Sequence, residues 1–231
     1  MGMTRRIWGS ARRGSLRRDI RGNLDSWRLD HRRLAPSAER ASGTISSERI
    51  NRLASTGGSA SSYLEIGVEH GYTLEAVKIA TRVGVDPHPA FSRRSLPAGL
   101  TVRSMTSDEY FETLGEDARF DVIFLDGLHT YGQTYRDLIN SLRHLDPRGV
   151  LIIDDVVPSD ALSSMPDLTA SIEAQVRRGV TDFMWHGDVF RIVPLLRDHH
   201  PELRYWTVVG RGNEQTVLWK VDPHRESVAV D

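Results

Sequence analysis

Asp126, Asp154 and Asp155 each stand at the end of an apolar run, Phe120 to Leu125 for the first and Val150 to Ile153 for the pair, and His129 follows Asp126 by three residues. Carboxylates gathered at the ends of adjacent strands repel one another unless they are protonated, hydrogen-bonded or neutralised by a cation. A divalent metal resolves the conflict: all-oxygen ligation suits Mg²⁺, with Mn²⁺ or Ca²⁺ as substitutes, and water and an acceptor oxygen can complete the coordination. The alternative is that Asp126 only positions a ligand while one of Asp154 and Asp155 caps the following turn. His129 is the candidate catalytic base, because a neutral imidazole takes a proton near physiological pH and a bound cation would make a hydroxyl easier to deprotonate. His186, before Gly187-Asp188, is a second candidate for the same pocket, whereas His199 and His200 suit a helix C-terminus.

A further constellation lies upstream. Tyr63-Leu64-Glu65-Ile66-Gly67-Val68-Glu69-His70-Gly71-Tyr72-Thr73, followed by Val83-Gly84-Val85-Asp86, reads as strand, glycine turn, helix, strand and acid. Gly67 and Gly71 mark a tight turn or a close backbone approach. Thr73 is expected to cap a helix carrying Leu74, Ala76, Val77 and Ala80. Asp86 ends the next strand roughly twenty residues after the turn, where a carboxylate can accept from ribose hydroxyls. The spacing is E-x-G-x-x-x-G, looser than the G-x-G-x-x-G loop that seats a pyrophosphate on a helix N-terminus.

Alternating strands and helices must carry these groups. Ala35 to Gly43 reads as a linker and Ser46 to Ala54 as a short helix leading into the first strand. Leu100 to Arg103 is a further strand, and Ser107 is placed to cap a helix whose first turn holds Asp108 and Glu109. Tyr131 to Leu145 has helical spacing, with Pro147 and Gly149 as its stop before Val150 to Ile153. A helix from about Asp188 to His199 precedes two strands, Leu203 to Val209 and Thr216 to Val221, which Gly210 and Gly212 join as a hairpin. The pattern predicts an α/β fold: a doubly wound, mostly parallel Rossmann-like sheet ending in an antiparallel hairpin, with ligands beyond the carboxyl ends of the strands. Asp86, Asp126 and Asp154 all fall at such ends.

With 231 residues the chain suits one α/β domain and an appendage, here divided as residues 1–43 and 44–231. The absence of cysteine removes disulfides, thiolate metal sites and cysteine nucleophiles, leaving carboxylates, nine histidines, hydroxyls or a cofactor for any chemistry. No apolar run approaches the roughly 18 residues of a membrane span, and no signal-peptide core follows the basic start, so a soluble cytoplasmic protein is expected. Residues 1–43 hold eleven Arg against four Asp or Glu, which leaves the body acidic because the whole chain carries −1. Arg outnumbers Lys 28 to 2 throughout, as coding bias would produce, and nucleic acid is therefore not the expected partner. Ile20, Leu24, Trp27 and Leu34 approximate a helical apolar stripe in the arm, which suits packing on the body or on a second copy of the chain.

Three segments resemble a known family. They are Met105-Thr106-Ser107-Asp108-Glu109-Tyr110-Phe111, Phe120-Asp121-Val122-Ile123-Phe124-Leu125-Asp126-Gly127-Leu128-His129-Thr130-Tyr131 and Gly149-Val150-Leu151-Ile152-Ile153-Asp154-Asp155. The series is similar to the class I S-adenosylmethionine (SAM)-dependent methyltransferases related to macrocin O-methyltransferase, within a group that also resembles cephalosporin hydroxylase-like proteins. It covers about Ser61 to Val221, with Gly187-Asp188-Val189-Phe190 standing where such proteins often have Gly-Asp-Val-Trp, and residues 1–43 lie outside it. The resemblance implies that Glu65, Gly67 and Gly71 line the methionine part of SAM and that Asp86 holds its ribose. Thr106, Ser107 and Asp108 would lie near adenine, and Asp126 would contact the cofactor, the metal or both.

The reaction so implied is methylation of a hydroxyl on a small polyhydroxylated metabolite or glycoside, with SAM as donor, Asp126, Asp154 and Asp155 on a divalent cation and His129 as base. Two other readings stay open. A Rossmann-type oxidoreductase or hydroxylase-like enzyme would bind NAD and not SAM, and a non-catalytic scaffold would bind SAM without turnover.

Overall fold

A computed structural model describes residues 43–56, 60–92 and 96–221. Apart from Gly43, the arm and its apolar stripe lie outside the described residues. The elements are helix α1 (Ile45–Thr56), β1 (Ser62–Ile66), α2 (Tyr72–Ala76), β2 (Thr81–Val85), β3 (Leu100–Arg103), α3 (Ser107–Glu112) and β4 (Phe120–Leu125). There follow α4 (Tyr131–His144), β5 (Leu145–Ile153), α5 (Leu168–Arg177), a 3₁₀ turn (Val189–Arg191), α6 (Ile192–His199), β6 (Leu203–Val208) and β7 (Gln215–Lys220).

One seven-stranded sheet runs β3-β2-β1-β4-β5-β7-β6. The first five strands are parallel, and β7 inserts antiparallel between β5 and its hairpin partner β6. This is the mostly parallel sheet with terminal hairpin that the sequence predicts. The strand order reverses between β1 and β4, so their connections leave to opposite faces and a crevice opens at the carboxyl edge.

The two-residue period of the strands builds both halves of the core. Leu64, Ile66, Ile123, Leu125, Leu151 and Ile153 pack with Leu138, Ile192 and Leu196 on one face. Tyr63, Val122, Phe124 and Ile152 point to the other face and meet Ile50 and Leu74. Strands buried on both sides need continuous apolar runs, which is why β4 and β5 are so plain in the sequence.

Local details differ from the sequence reading in four places. Gly71, at φ 78°, is the N-cap of α2, which lasts a single turn, and the Thr73 hydroxyl instead pairs with that of Thr44 at 2.8 Å. Thr106, not Ser107, caps α3: its hydroxyl accepts from Glu109 N while the Glu109 carboxylate accepts from Thr106 N, a reciprocal capping box. Pro147 and Gly149 lie inside β5, where residues 146–149 bulge opposite Asp121 as the register passes from Phe120↔Leu145 to Val122↔Val150. Helix α5 has no counterpart in the sequence reading, because two of the three residues it buries, Ser171 and Gln175, are polar and blur the apolar period.

Candidate active site

The residues that the sequence assigns to the site follow the carboxyl ends of the strands, and most of them gather in two clusters that touch. The first is the turn after β1. Gly67 has φ 86°, and a Cβ there would lie 1.8 Å from the carbonyl oxygen of Asp126, so only glycine lets the turn pass beneath the end of β4. Asp126 N donates to Ile66 O at 2.8 Å, completing the join.

Asp86 organises this turn from the neighbouring strand. Its Oδ2 accepts from Val68 N at 3.0 Å and Glu69 N at 2.8 Å, and its Oδ1 accepts from His88 N at 2.7 Å. A carboxylate offers about four lone-pair directions, so Oδ1 retains capacity for one more donor. Glu65 lies deeper, 2% exposed, with its Oε2 accepting from Tyr63 Oη at 2.6 Å. Burial pushes its pKa well up, and the charges of Asp126 and Asp86 add to the effect.

Thr106, Ser107 and Asp108 follow β3 on the same edge. Gln133 of α4 donates to Ser107 Oγ at 3.2 Å, Asp108 Oδ1 at 3.3 Å and Asp137 Oδ1 at 3.0 Å, and Arg136 sits 3.5 Å from Asp108 Oδ2. The start of α3 is thereby fastened to α4.

The second cluster is acidic. His129 Nε2 stands 3.1 Å from Asp155 Oδ2 and 3.5 Å from Asp126 Oδ1, and one donor atom from each residue fits within 4.8 Å of the others. Asp154 takes no part in this group. Its Oδ2 accepts from Gln215 Nε2 at 3.0 Å and lies 3.5 Å from Ser46 Oγ, and its Oδ1 accepts from Asp155 N at 2.9 Å. Successive residues at a strand end diverge, and here Asp155 also turns into the left-handed region at φ 59°. The structure therefore brings His129 into the place that the sequence suggests for Asp154.

His129 is held on both sides. Its Nδ1 is 2.9 Å from the Trp185 carbonyl, which fixes Nδ1 as the donor, and its ring stacks on Trp185 with centroids 5.2 Å apart. Burial opposes a charge on the ring, but the hydrogen bond to Asp126 and the charges of Asp155 and Asp126 outweigh it and hold the pKa up at about 10. Burial pushes Asp155 well above the usual carboxylate range, and burial with the Asp126 charge pushes Asp154 up as well. Two carboxylates and one imidazole converge here, and once His129 Nε2 gives up its proton they form a donor set that a divalent cation fits.

A late loop closes this cluster. Gly187, at φ 58°, lies so near that a Cβ would come 1.6 Å from the His129 carbonyl oxygen. Asp188 accepts from Tyr131 N at 2.6 Å, capping α4 from afar where Thr130 makes no side-chain cap. Arg191 pairs with Asp188 at 2.9 Å and lies 4.4 Å from the centroid of the Tyr131 ring. His186 is buried beside them, with Nε2 3.8 Å from Asp155 Oδ1 and no hydrogen-bond partner for Nδ1 among the described residues. The sequence reading missed Trp185, Asn213 and Gln215, whose local sequence carries no mark of the contacts they make.

Comparison with known proteins agrees with this geometry. Residues 64–156 match the family model described as a methyltransferase domain. No curated protein matches the sequence. Among solved structures, an SAH-bound methyltransferase from Podospora anserina is 17% identical, with TM-score 0.54 over 86% of this chain and 87% of that one. An O-methyltransferase of tomaymycin synthesis from Streptomyces achromogenes, in complex with SAM, is 17% identical with TM-score 0.51, covering 76% of this chain and 79% of its own. An O-methyltransferase from Bacillus cereus in complex with SAH is 17% identical with TM-score 0.50, over 88% and 89%. At such identity the structural likeness is one of fold. The matched segment spans the glycine turn, Asp86, Asp126, His129 and Asp155, and with the sheet order around it residues 64–156 form a methyltransferase domain on the fold of the class I methyltransferases.

Proposed function

We propose that this methyltransferase transfers the methyl group of SAM to a hydroxyl oxygen of a small polyhydroxylated metabolite or glycoside, assisted by a divalent cation such as Mg²⁺. The observation that carries the proposal is the Asp126–His129–Asp155 group set directly against the glycine turn. O-methyltransferases of the same fold that hold SAM or SAH support the choice of donor. SAM, when bound, would supply an electrophilic methyl: the S–CH₃ electron pair returns to sulfur, leaving S-adenosylhomocysteine (SAH), as the acceptor oxygen forms the new bond and releases its proton to solvent. A divalent cation, when bound, would act as a Lewis acid that lowers the pKa of an acceptor hydroxyl.

The chain's own residues align the reactants. Asp86 Oδ1 is available to a ribose hydroxyl while Oδ2 stiffens the turn. Glu65, Gly67 and Gly71 shape the floor on the methionine side, and Thr106, Ser107 and Asp108 form the edge assigned to adenine. Asp126, His129 and Asp155 would hold the cation. His129 has only Nε2 to offer, since Nδ1 is committed to the Trp185 carbonyl, and one lone pair cannot both bind a cation and accept a proton. We therefore favour His129 as a ligand over the base role read from the sequence. Leu128, Val157, Met184 and Phe190 expose apolar side chains on the segments that carry the site, a rim suited to the apolar part of a glycoside.

The test is calorimetry with SAH and NADH, followed by a methyl-transfer screen on glycosides and phenols with and without chelator. SAH binding, and turnover that chelation abolishes and Mg²⁺ restores, are expected. Binding of NADH without SAH would sink the donor assignment, and full turnover in metal-free buffer would sink the cation.

A further inference from the structure

Asp154 and Asp155 are consecutive, yet only Asp155 faces His129, and the turn of the terminal hairpin explains how its carboxylate is held. Asp155 Oδ1 accepts a hydrogen bond from Asn213 Nδ2 at 2.9 Å, while Oδ2 lies 3.1 Å from His129 Nε2. Asn213 is itself braced. Its carbonyl accepts from Arg49 Nη1 at 2.6 Å, and Arg49 Nη2 reaches the Arg211 carbonyl. Gly212 packs on Ile45 so closely that a Cβ would sit 3.0 Å from that side chain. Val156 N donates to Glu214 O at 3.3 Å, tying the same turn to the chain just after Asp155. Helix α1 thus supports the hairpin turn, and the turn supports Asp155.

We infer that Asn213 is a positioning residue that pins one oxygen of Asp155 and so presents the other to Asp126 and His129. The inference rests on reading those three residues as the cation-binding group. A carboxylate restrained through one oxygen offers a single defined direction through the other, as the outer partners of metal ligands commonly arrange. Without the Asn213 amide, Oδ1 is left to His186, whose Nε2 stands 3.8 Å away, and Oδ2 turns from His129.

The full-length, metal-free protein provides the test. Long-range ¹H–¹⁵N spectra of the His129 imidazole read its contact with Asp155, and Mn²⁺ titration reads the site. In N213A the His129 Nε2 resonance should move and the Mn²⁺ dissociation constant should rise about tenfold, while SAH affinity stays as in the wild type. In a D155N background, N213A should change neither the resonance nor the Mn²⁺ affinity further, because the coupling passes through Asp155. N213S, read the same way, replaces the alanine variant if that does not fold. A folded N213A protein with wild-type His129 resonances would overturn the inference, as would an undiminished effect in the D155N background. If the wild-type protein binds no Mn²⁺, the cation reading fails alone and the His129 resonance decides the role of Asn213.

Discussion

The glycine turn and the acidic cluster touch at Gly67 and Asp126, but they are built in opposite ways. The turn, Asp86 and the start of α3 come from one stretch of chain, residues 62–112, in which each strand delivers its loop directly to the carboxyl edge. The acidic cluster draws on β4, β5, the loop at Trp185 to Asp188 and the hairpin turn, with α1 behind it. Contacts within the first cluster are mostly between backbone and a nearby side chain, whereas those in the second join side chains far apart in sequence. The lesson is that a glycine turn can be encoded locally, while a cluster of like charges must be assembled from distant donors that compensate it.

Substitutions that strike the contact or one cluster alone break or sharpen this contrast. The largest effect is expected from Gly67→Val, since a Cβ already meets the Asp126 carbonyl at 1.8 Å and both clusters lose their register. Thermal and urea unfolding should show a loss of more than about 3 kcal/mol, with SAH binding undetectable. A Gly67→Val protein of wild-type stability would mean that the two clusters do not share this contact.

Next in size is Asp155→Asn, which removes a charge from the group proposed to hold the cation. Mn²⁺ affinity should fall at least a hundredfold, roughly 3 kcal/mol, while SAH affinity holds. Equal losses of both ligands would show that the clusters are energetically one. Asp86→Ala tests the converse: loss of a charged acceptor should weaken SAH by about 2 kcal/mol in calorimetry and leave Mn²⁺ binding intact.

Asp188→Ala should cost about 1 kcal/mol of stability by uncapping α4, read from urea unfolding, with SAH binding retained. Smallest is Asp154→Asn. Because that carboxylate is turned toward Gln215 and Ser46, Mn²⁺ affinity should change much less than in Asp155→Asn, and an equal loss would return Asp154 to the ligand group.

The contrast also explains what could be read in advance. Gly67 and Gly71 as turn residues, and Asp86 as the acid at a strand end, were legible because those placements depend on backbone conformation and on spacing along one β-α-β unit. Thr73 and Ser107 were misread as caps by one or two residues, since neighbouring hydroxyls and glycines offer equivalent local signals. Helix α5 was not legible, because Ser171 and Gln175 are buried in it through hydrogen bonds to Leu162 O and Met184 O that no periodicity reports.

By itself, the sequence determined the parallel sheet, its terminal hairpin and the placement of Asp86, Asp126, Asp154 and Asp155 at strand ends, because apolar runs that must be buried on both faces leave few topologies. Tertiary structure alone decided which of two adjacent aspartates joins His129. The folded backbone, with Asp155 at φ 59°, sends the two carboxylates apart, and each is held by donors that folding brings from elsewhere: Gln215 and Ser46 for Asp154, Asn213 for Asp155. A buried carboxylate takes the orientation that satisfies its lone pairs, and those partners lie 58 residues or more away in the chain.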